Sequence, residues 1–221
     1  MELTEDRPKC LVEFRGRMLL QWQLDALRQS GIAEIAVVHG YRGAQLAPFG
    51  LRMFENARWA ETQMVTSLAA AADWLRSDTC VVSYSDIFYT AGAVEALVSG
   101  RGDRTIAYDP DWLNVWQRRF ANPLDDAETF RIDSEGRILE IGGKPATIDE
   151  VQGQYVGLLK FTPAGWATVE ELRERLPDER DRMDMTRMLQ HLIGSGLEVF
   201  GTPIGSEWGE IDSADDLNSL R

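Results

Sequence analysis

The sequence is poor in the residues that build several common kinds of site. Its 221 residues include two cysteines, Cys10 and Cys80, and two histidines, His39 and His191. A disulfide framework or a zinc site needs more ligands at closer spacing, so we expect both cysteines to be reduced, buried thiols. The histidines lie on separate predicted elements and are treated as structural. The sequence also has no serine nucleophile elbow, Walker A loop or paired-histidine zinc motif.

Long apolar runs and positive charge are scarce as well. No apolar run approaches the ~20 residues that cross a bilayer, and residues 1–6 do not resemble a signal peptide. We therefore expect a cytoplasmic protein with no membrane partner. Lys and Arg number 23 against 36 Asp and Glu, a formal charge of −13. This excess argues against nucleic-acid binding, which needs a basic face. An anionic small substrate would need local cations or a metal ion.

The composition that remains is typical of a soluble globular protein, with 44% hydrophobic and 27% charged residues. We find no repeat, low-complexity tract or long linker, which favours one domain over residues 1–221. Helical spacing of apolar residues alternates with short apolar runs: helices are predicted at 17–30, 62–76 and 91–98, and strands at 35–39 and 80–84. The alternation predicts an α/β fold, a doubly wound and mostly parallel sheet with helices on both faces.

The pattern changes in the middle third of the chain. Strand-like runs at 127–132 and 137–141 are joined by Ser134-Glu135-Gly136 and predict a hairpin. Further on, strands are predicted at 155–161 and 197–200, and helices at 163–176 and 183–193. We therefore expect a small antiparallel β addition, an insertion over about residues 104–154, on a core formed by 1–103 and 155–221. The expected site is the crevice beyond the carboxyl ends of the parallel strands.

Two aspartates follow predicted strands and are candidate metal ligands. Asp86 comes just after the strand at 80–84, and Asp212 ends the segment Trp208-Gly209-Glu210-Ile211. If both face one crevice, they suit Mg²⁺, which takes one or two carboxylates plus substrate phosphates. The alternative is that each aspartate caps the element after it.

Two small cationic motifs stand out in an acidic chain. Arg7-Pro8-Lys9 forms a cluster near the N-terminus, and Lys144 lies in Gly142-Gly143-Lys144-Pro145. Both motifs suit phosphate, with lysine acting as a point charge. The alternative for each is a solvated surface cation without a role.

Aromatic side chains supply a third candidate feature. Trp112 and Trp116 are spaced i, i+4 and share a face if their segment is helical. With Tyr155 they would form an aromatic wall for an ammonium group. The alternative is that they pack in the core.

In this order, the motifs resemble the nucleotidyltransferase family that activates sugar phosphates and phosphocholine. Residues 3–12 are similar to the segment that brings the family's lysine to the phosphates, and 142–145 to its Lys-Pro motif. Tyr84-Ser85-Asp86 and Glu210-Ile211-Asp212 match the positions of its metal-binding aspartates. Four further motifs look most like the phosphocholine cytidylyltransferase branch: 63–68, 122–124 with 128–129, 153–157 and 184–186.

The resemblance implies a Rossmann-like fold, Mg²⁺, and transfer of CMP from CTP to phosphocholine or a similar phosphorylated or phosphonate amino-alcohol. It implies that Lys9, Asp86, Lys144 and Asp212 are catalytic and that Asp86 and Asp212 bind the metal. The resemblance also implies two sets of binding residues, one for each substrate. Those for the nucleotide are Arg7, Lys9, Gln63, Met64, Thr66 and Ser67, and those for the acceptor are Trp112, Trp116, Glu128, Tyr155 and Asp184. A homodimer is compatible with the family.

One departure from the family keeps alternatives open. The family opens with an apolar strand and a Gly-x-Gly-x-Arg loop that cradles the triphosphate, whereas this sequence begins at Met1, just after that point. We expect a start assigned too late; the other interpretation is a catalytically inactive, regulatory nucleotidyltransferase-like domain. Within the enzyme class, the alternative is a sugar-1-phosphate nucleotidylyltransferase that uses UTP or dTTP.

Overall fold

The structure is a computed structural model that describes residues 3–205, 207–213 and 216–217. Its strands are β1 Glu13–Phe14, β2 Arg17–Met18, β3 Ala36–His39, β4 Arg52–Glu55, β5 Cys80–Ser83, β6 Ile87–Phe88, β7 Arg104–Asp109, β8 Phe130–Ile132, β9 Ile138–Ile141, β10 Gln154–Phe161, β11 Phe200–Pro203 and β12 Gly209–Glu210. Its α-helices are α1 Leu19–Gln29, α2 Met64–Ala69, α3 Ala72–Ser77, α4 Ala91–Ser99, α5 Trp112–Arg119, α6 Pro163–Arg175 and α7 Met185–Gly194. Across the described residues, no helix has the length and apolar character to span a bilayer.

The central sheet has four strands in the order β11-β7-β10-β5. β11 runs parallel to β7, whereas β10 runs antiparallel to both β7 and β5. A second parallel pair joins β3 to β4. The predicted α/β class is confirmed, with a sheet that is mixed because β10 is reversed.

Helices cover both faces of this sheet, as predicted. Successive side chains of a strand point to opposite faces. Ile106 belongs to a core cluster with Trp166 of α6. The next residue, Ala107, belongs to a second cluster with Leu97 of α4. The sheet is therefore buried between two helical layers, and its strand ends are left to form a site.

Three predicted elements differ from the structure. The strand predicted at 127–132 begins only at Phe130. The helix predicted at 62–76 is divided into α2 and α3, because the N–H groups of Ala70 and Ala71 bond only three residues back and Ala71 leaves helical geometry. The strand predicted at 197–200 begins only at Phe200 and continues through Pro203. Proline is tolerated there because β11 is an edge strand of its sheet.

The middle third contains the predicted hairpin, formed by the antiparallel strands β8 and β9. The predicted insertion span also contains β7, which lies between β11 and β10 in the central sheet. The division of the chain into a core and an insertion stays a prediction.

Candidate active site

A short strand pairing brings the two predicted metal-binding aspartates together. β12 pairs antiparallel with β6, and the Ile211 N–H donates to the Asp86 carbonyl over 2.9 Å. Asp86 precedes β6, and Asp212 follows β12. Asp86, Glu210 and Asp212 each offer a carboxylate oxygen, and these oxygens lie within 4.8 Å of one another. We call these three residues the acidic cluster.

Lys9 lies directly on the acidic cluster. Its ammonium donates to Asp86 Oδ2 over 2.9 Å and also to Asp212 Oδ1. Burial lowers the pKa of Lys9, but attraction to Asp86 and the hydrogen bonds to both aspartates outweigh it, so that pKa lies above its ordinary value. The lysine therefore stays charged and neutralises part of the cluster.

The acidic cluster fits a divalent cation on the chemistry of its donors. Asp86 Oδ1 is buried and has no hydrogen-bond partner among the described residues. Buried polar atoms are normally satisfied, so an unpartnered carboxylate oxygen beside two further carboxylates is a ready ligand. Carboxylate oxygens are the protein ligands that Mg²⁺ prefers.

Glu210 has the most perturbed carboxyl group of the cluster. Burial, followed by the nearby Asp212 carboxylate, raises the pKa of Glu210 to about 7, although Arg119 acts in the opposite direction. Near neutral pH the cluster therefore gains or loses a proton at this residue.

Arg119 is a functional candidate that sequence reasoning missed. Its side chain is only 5% exposed, and it donates to Glu210 over 3.0 Å and to Asp216 over 2.9 Å, with Asp212 at 3.4 Å. The guanidinium thus fixes the segment on which two of the three clustered carboxylates lie. The sequence signal was a cation at the end of the amphipathic segment that contains Trp112 and Trp116, a pattern also typical of an ordinary helix terminus.

The described contacts do not support the interpretation of Asp212 as a helix cap. Instead, Asp216 accepts hydrogen bonds from the N–H groups of Asp212 and Ser213, over 3.0 and 2.9 Å. Asp212 is left to face Lys9 and Arg119. Residues 214–215, which the cap interpretation also involved, lie outside the described residues.

A cavity of about 210 Å³ opens beside the acidic cluster. Its aromatic lining residues are Tyr84, Trp116, Tyr155 and Trp208. Its acidic lining residues are Asp126, Glu128, Glu210 and Asp212. No Lys or Arg is among the described residues that line it. The cavity therefore combines aromatic faces with carboxylates and is lined by two members of the acidic cluster.

Three of the predicted acceptor residues line the cavity. Trp116 donates its indole N–H to Asp126 over 3.0 Å, and the rings of Tyr155 and Tyr84 meet edge to face. Burial raises the pKa of Glu128, and the neighbouring carboxylates Asp184 and Asp126 raise it further. A cationic ligand group would relieve this repulsion.

The prediction that Trp112 binds the acceptor is not supported by its position in the structure. Asp184 lies near the cavity but also has a structural role. Trp112 is 3% exposed, and its indole N–H donates to the Val151 carbonyl, so it packs in the core and does not line the cavity. Asp184 is close enough to Glu128 to affect its pKa, but its side chain caps α7 by accepting from the Arg187 N–H.

The predicted phosphate-binding cations are also not all free to face a phosphate. The Lys144 ammonium donates to the carbonyls of Leu124 and Asp125, over 2.5 and 2.6 Å, and so holds the turn before Asp126. Arg7 is exposed and pairs with Asp6. Among the described contacts, Lys9 alone of these three cations touches the acidic cluster.

The predicted nucleotide window lies at the start of α2. Thr66 donates to the Arg180 carbonyl, Ser67 accepts from Asn56, and the Gln63 N–H donates to the Asp181 carbonyl. Met64 is exposed. No hydrogen bond or ion pair among the described residues joins this window to the acidic cluster, and its role stays a prediction.

Comparison with known proteins places these features in a family. The profile of the MobA-like NTP transferase domain matches residues 3–189. A CTP:phosphoglutamine cytidylyltransferase from Campylobacter jejuni is 34% identical, over 98% of this chain and 92% of that protein. A glucose-1-phosphate thymidylyltransferase from Streptomyces antibioticus is 23% identical, over 97% of this chain and 60% of that protein.

The fold itself has solved relatives. The structure of a CTP:phosphocholine cytidylyltransferase from Streptococcus pneumoniae superposes with a TM-score of 0.72 at 19% identity, covering 99% of this chain and 90% of that one. The predicted Rossmann-like α/β class agrees with this likeness. Because the profile spans most of the chain and the Campylobacter protein aligns along nearly all of it, this protein belongs to the MobA-like NTP transferase domain family and is a nucleotidyltransferase.

Proposed function

We propose that the protein transfers CMP from CTP to a phosphorylated small molecule that bears an ammonium group, releasing pyrophosphate. The observation that supports this most is the convergence of Lys9, Asp86 and Asp212 at one end of an aromatic and acidic cavity. The similarity to the Campylobacter cytidylyltransferase supports CTP as the nucleotide.

The reaction needs positioning and charge neutralisation more than a strong base. An anionic oxygen of the acceptor's phosphate or phosphonate forms a bond to the α-phosphorus of CTP, and the bond from that phosphorus to the bridging oxygen breaks. The electron pair leaves with pyrophosphate, and because the nucleophile is already ionised, no general base is needed.

The acidic cluster is the proposed metal site. Asp86 and Asp212 would hold Mg²⁺, with Glu210 beside them, and the ion, when bound, offsets the charge of the phosphates that meet there. Arg119 keeps the Glu210–Asp212 segment in place. Lys9 contacts Asp86 and Asp212, and its ammonium would also face the triphosphate at this site.

The remaining predicted nucleotide contacts stay part of the proposal. Gln63, Met64, Thr66 and Ser67 would meet the base and ribose, and Arg7 would face the triphosphate beside Lys9. Lys144 is proposed to act by holding the turn before Asp126, because its ammonium is engaged by carbonyls of that turn.

The acceptor class follows from the charge of the cavity. Its described lining has four carboxylates and no cationic side chain. An ammonium group near the phosphate would complement these carboxylates and the faces of Trp116 and Tyr155. Phosphocholine, 2-aminoethylphosphonate and phosphoglutamine all bring such a group. A sugar phosphate brings none, although the Streptomyces relative makes it the second candidate.

Pyrophosphate release across a substrate panel tests the proposal. The panel combines CTP, UTP, dTTP and ATP with phosphocholine, 2-aminoethylphosphonate, phosphoglutamine and glucose 1-phosphate in the presence of Mg²⁺. We expect turnover with CTP and an ammonium-bearing acceptor. Preference for UTP or dTTP with glucose 1-phosphate would establish the second candidate, and release with no pair would favour the regulatory interpretation.

A further inference from the structure

Two buried polar residues are paired in the sheet at the cavity, and one of them, Gln154, also lines it. Asp109, at the end of β7, is the register partner of Gln154, at the start of β10. Asp109 is 0% exposed and Gln154 is 5% exposed. Burying such groups is unfavourable unless their hydrogen bonds are made. Both residues make their hydrogen bonds. Asp109 bonds to Trp208, which forms what we call the tryptophan wall of the cavity, and Gln154 bonds to Glu128, which forms the carboxylate wall.

Asp109 holds the tryptophan wall. The Trp208 indole N–H donates to Asp109 Oδ2 over 2.8 Å, and the other carboxylate oxygen accepts from the Asp111 N–H over 2.8 Å. Trp208 lines the cavity and its ring lies 6.3 Å from that of Trp116. The hydrogen bond from the indole nitrogen to Asp109 fixes the orientation of the ring.

Gln154 holds the carboxylate wall. Its side-chain amide donates to the Glu128 carbonyl over 2.7 Å, and its side-chain oxygen accepts from the Glu128 N–H at 3.3 Å. Glu128 precedes β8, so its backbone depends on this side chain for pairing that a strand would otherwise provide. The two bonds fix the position from which the Glu128 carboxyl group enters the cavity.

We propose that Asp109 and Gln154 are a pair of positioning residues that set the acceptor specificity of the enzyme. Neither needs to react with the substrate. Asp109 fixes an aromatic face and Gln154 fixes a carboxylate, and their pairing in one sheet register keeps the two walls at a constant separation. The inference rests on the proposed function in one respect, namely that the cavity receives the acceptor.

Kinetics of Asp109→Asn and Gln154→Met, with the best acceptor of the panel, test the proposal. Each substitution retains approximate side-chain size. Asp109→Asn leaves one acceptor oxygen for the two N–H groups of Trp208 and Asp111, and Gln154→Met removes both hydrogen bonds to the Glu128 backbone. We expect the KM for the acceptor to rise about tenfold in Asp109→Asn, the effect of losing one buried hydrogen bond, and by at least as much in Gln154→Met. The KM for CTP and kcat should change less than about twofold.

Thr105→Val is the matched control for a purely structural effect. Thr105 lies on the same strand β7, is 1% exposed, and donates one hydrogen bond to the Arg101 carbonyl away from the cavity. We expect this variant to lower the melting temperature without changing the acceptor KM. Equal changes in both KM values for the positioning variants, or the same acceptor effect in Thr105→Val, would overturn the proposal.

A double-mutant cycle adds a test that general destabilisation cannot imitate. Trp208→Phe removes the indole donor, so Asp109→Asn in that background should have little further effect on the acceptor KM. Additive effects would overturn the positioning role of Asp109. If Asp109→Asn does not fold, the same test is made with Trp208→Phe alone, which should raise the acceptor KM while Thr105→Val does not.

A ligand-free measurement separates this proposal from the proposed function. In protein labelled with 5-fluorotryptophan, the Trp208 resonance is assigned with Trp208→Phe among seven tryptophans. We expect Asp109→Asn to shift or broaden that resonance and Thr105→Val to leave it unchanged. If the wild type turns over no acceptor, the proposed function fails, and an unchanged Trp208 resonance in Asp109→Asn would overturn the positioning role by itself.

Discussion

The ammonium nitrogen of Lys9 lies 2.9 Å from Asp86 Oδ2. This hydrogen bond joins the N-terminal segment of the chain to the turn after β5. The same ammonium reaches Asp212, near the other end of the sequence. The lysine thus contacts two of the carboxylates that are proposed to hold Mg²⁺. This arrangement makes several outcomes measurable.

Replacing Lys9 should weaken both the enzyme and its metal-free fold. Lys9→Met leaves the acidic cluster without the positive charge of this half-buried lysine, and we expect kcat/KM for CTP to fall about 100-fold. The melting temperature in chelator should fall because partly buried carboxylates lose their partner, and Mg²⁺ should restore more of it than in the wild type. Arg76→Met, which removes a cation paired with Glu170 on the surface, is the control. Equal behaviour of the two variants would reject the role of Lys9.

The raised pKa of Glu210, about 7, gives a pH dependence with a defined sign. Between about pH 4.5 and 7 the native state holds a proton that the unfolded state has released, so the free energy of unfolding should fall as pH rises. In chelator, urea unfolding at several pH values should show this loss, on the order of 3 kcal/mol, in the wild type and not in Glu210→Gln. Glu61→Gln, at an exposed side chain, should follow the wild type. Parallel curves for Glu210→Gln and the wild type would contradict the assignment.

Substitutions of Trp116 and Trp112 should have different kinetic effects although the two residues lie one helical turn apart. Trp116→Phe changes the cavity wall, and we expect the acceptor KM to rise about fivefold with the CTP KM unchanged. Trp112→Phe loses the bond to Val151 in the core and should lower the melting temperature without affecting either KM. Steady-state kinetics and thermal unfolding of both variants check this. An acceptor effect confined to Trp112→Phe would reverse the assignment.

Cys10 should be the slower of the two thiols to react. It is 5% exposed, and burial raises its pKa to about 11, so about one molecule in a thousand is thiolate at pH 8. Cys80 is only half-buried. Mass spectrometry after iodoacetamide treatment of the native protein should find Cys80 modified first. Faster modification of Cys10 would show that its surroundings open in solution.

Local pattern was enough to predict the α/β class and to make Asp86 and Asp212 candidate metal ligands, because each lies at the end of a predicted strand. That the two aspartates share one site was implied by the resemblance to the family. The order of motifs identified the family. Similarly, the short turn Ser134-Glu135-Gly136 between two strand-like runs was enough to predict the β8–β9 hairpin.

What the sequence did not predict depends on contacts between distant segments. Arg119 looks like any cation at the end of a helix, and its burial against Glu210 follows from how α5 meets β12. Lys144 seemed free because its acceptors are main-chain carbonyls, which have no sequence signal. Trp112 and Trp116 share a helix face, so spacing alone does not show which of them reaches the cavity. β7 was missed because its polar residues, Arg104, Thr105 and Asp109, are satisfied only by tertiary partners.

Binding of Mn²⁺ as a spectroscopic substitute for Mg²⁺, followed by electron paramagnetic resonance in the presence of CTP, tests the central claim most directly. Asp86→Asn is compared with Asp73→Asn, whose side chain is 92% exposed and remote from the acidic cluster. We predict that Asp86→Asn weakens Mn²⁺ binding and lowers pyrophosphate release about 100-fold while its melting temperature stays close to that of the wild type, and that Asp73→Asn changes neither. Wild-type Mn²⁺ affinity and turnover in a folded Asp86→Asn protein would contradict the account.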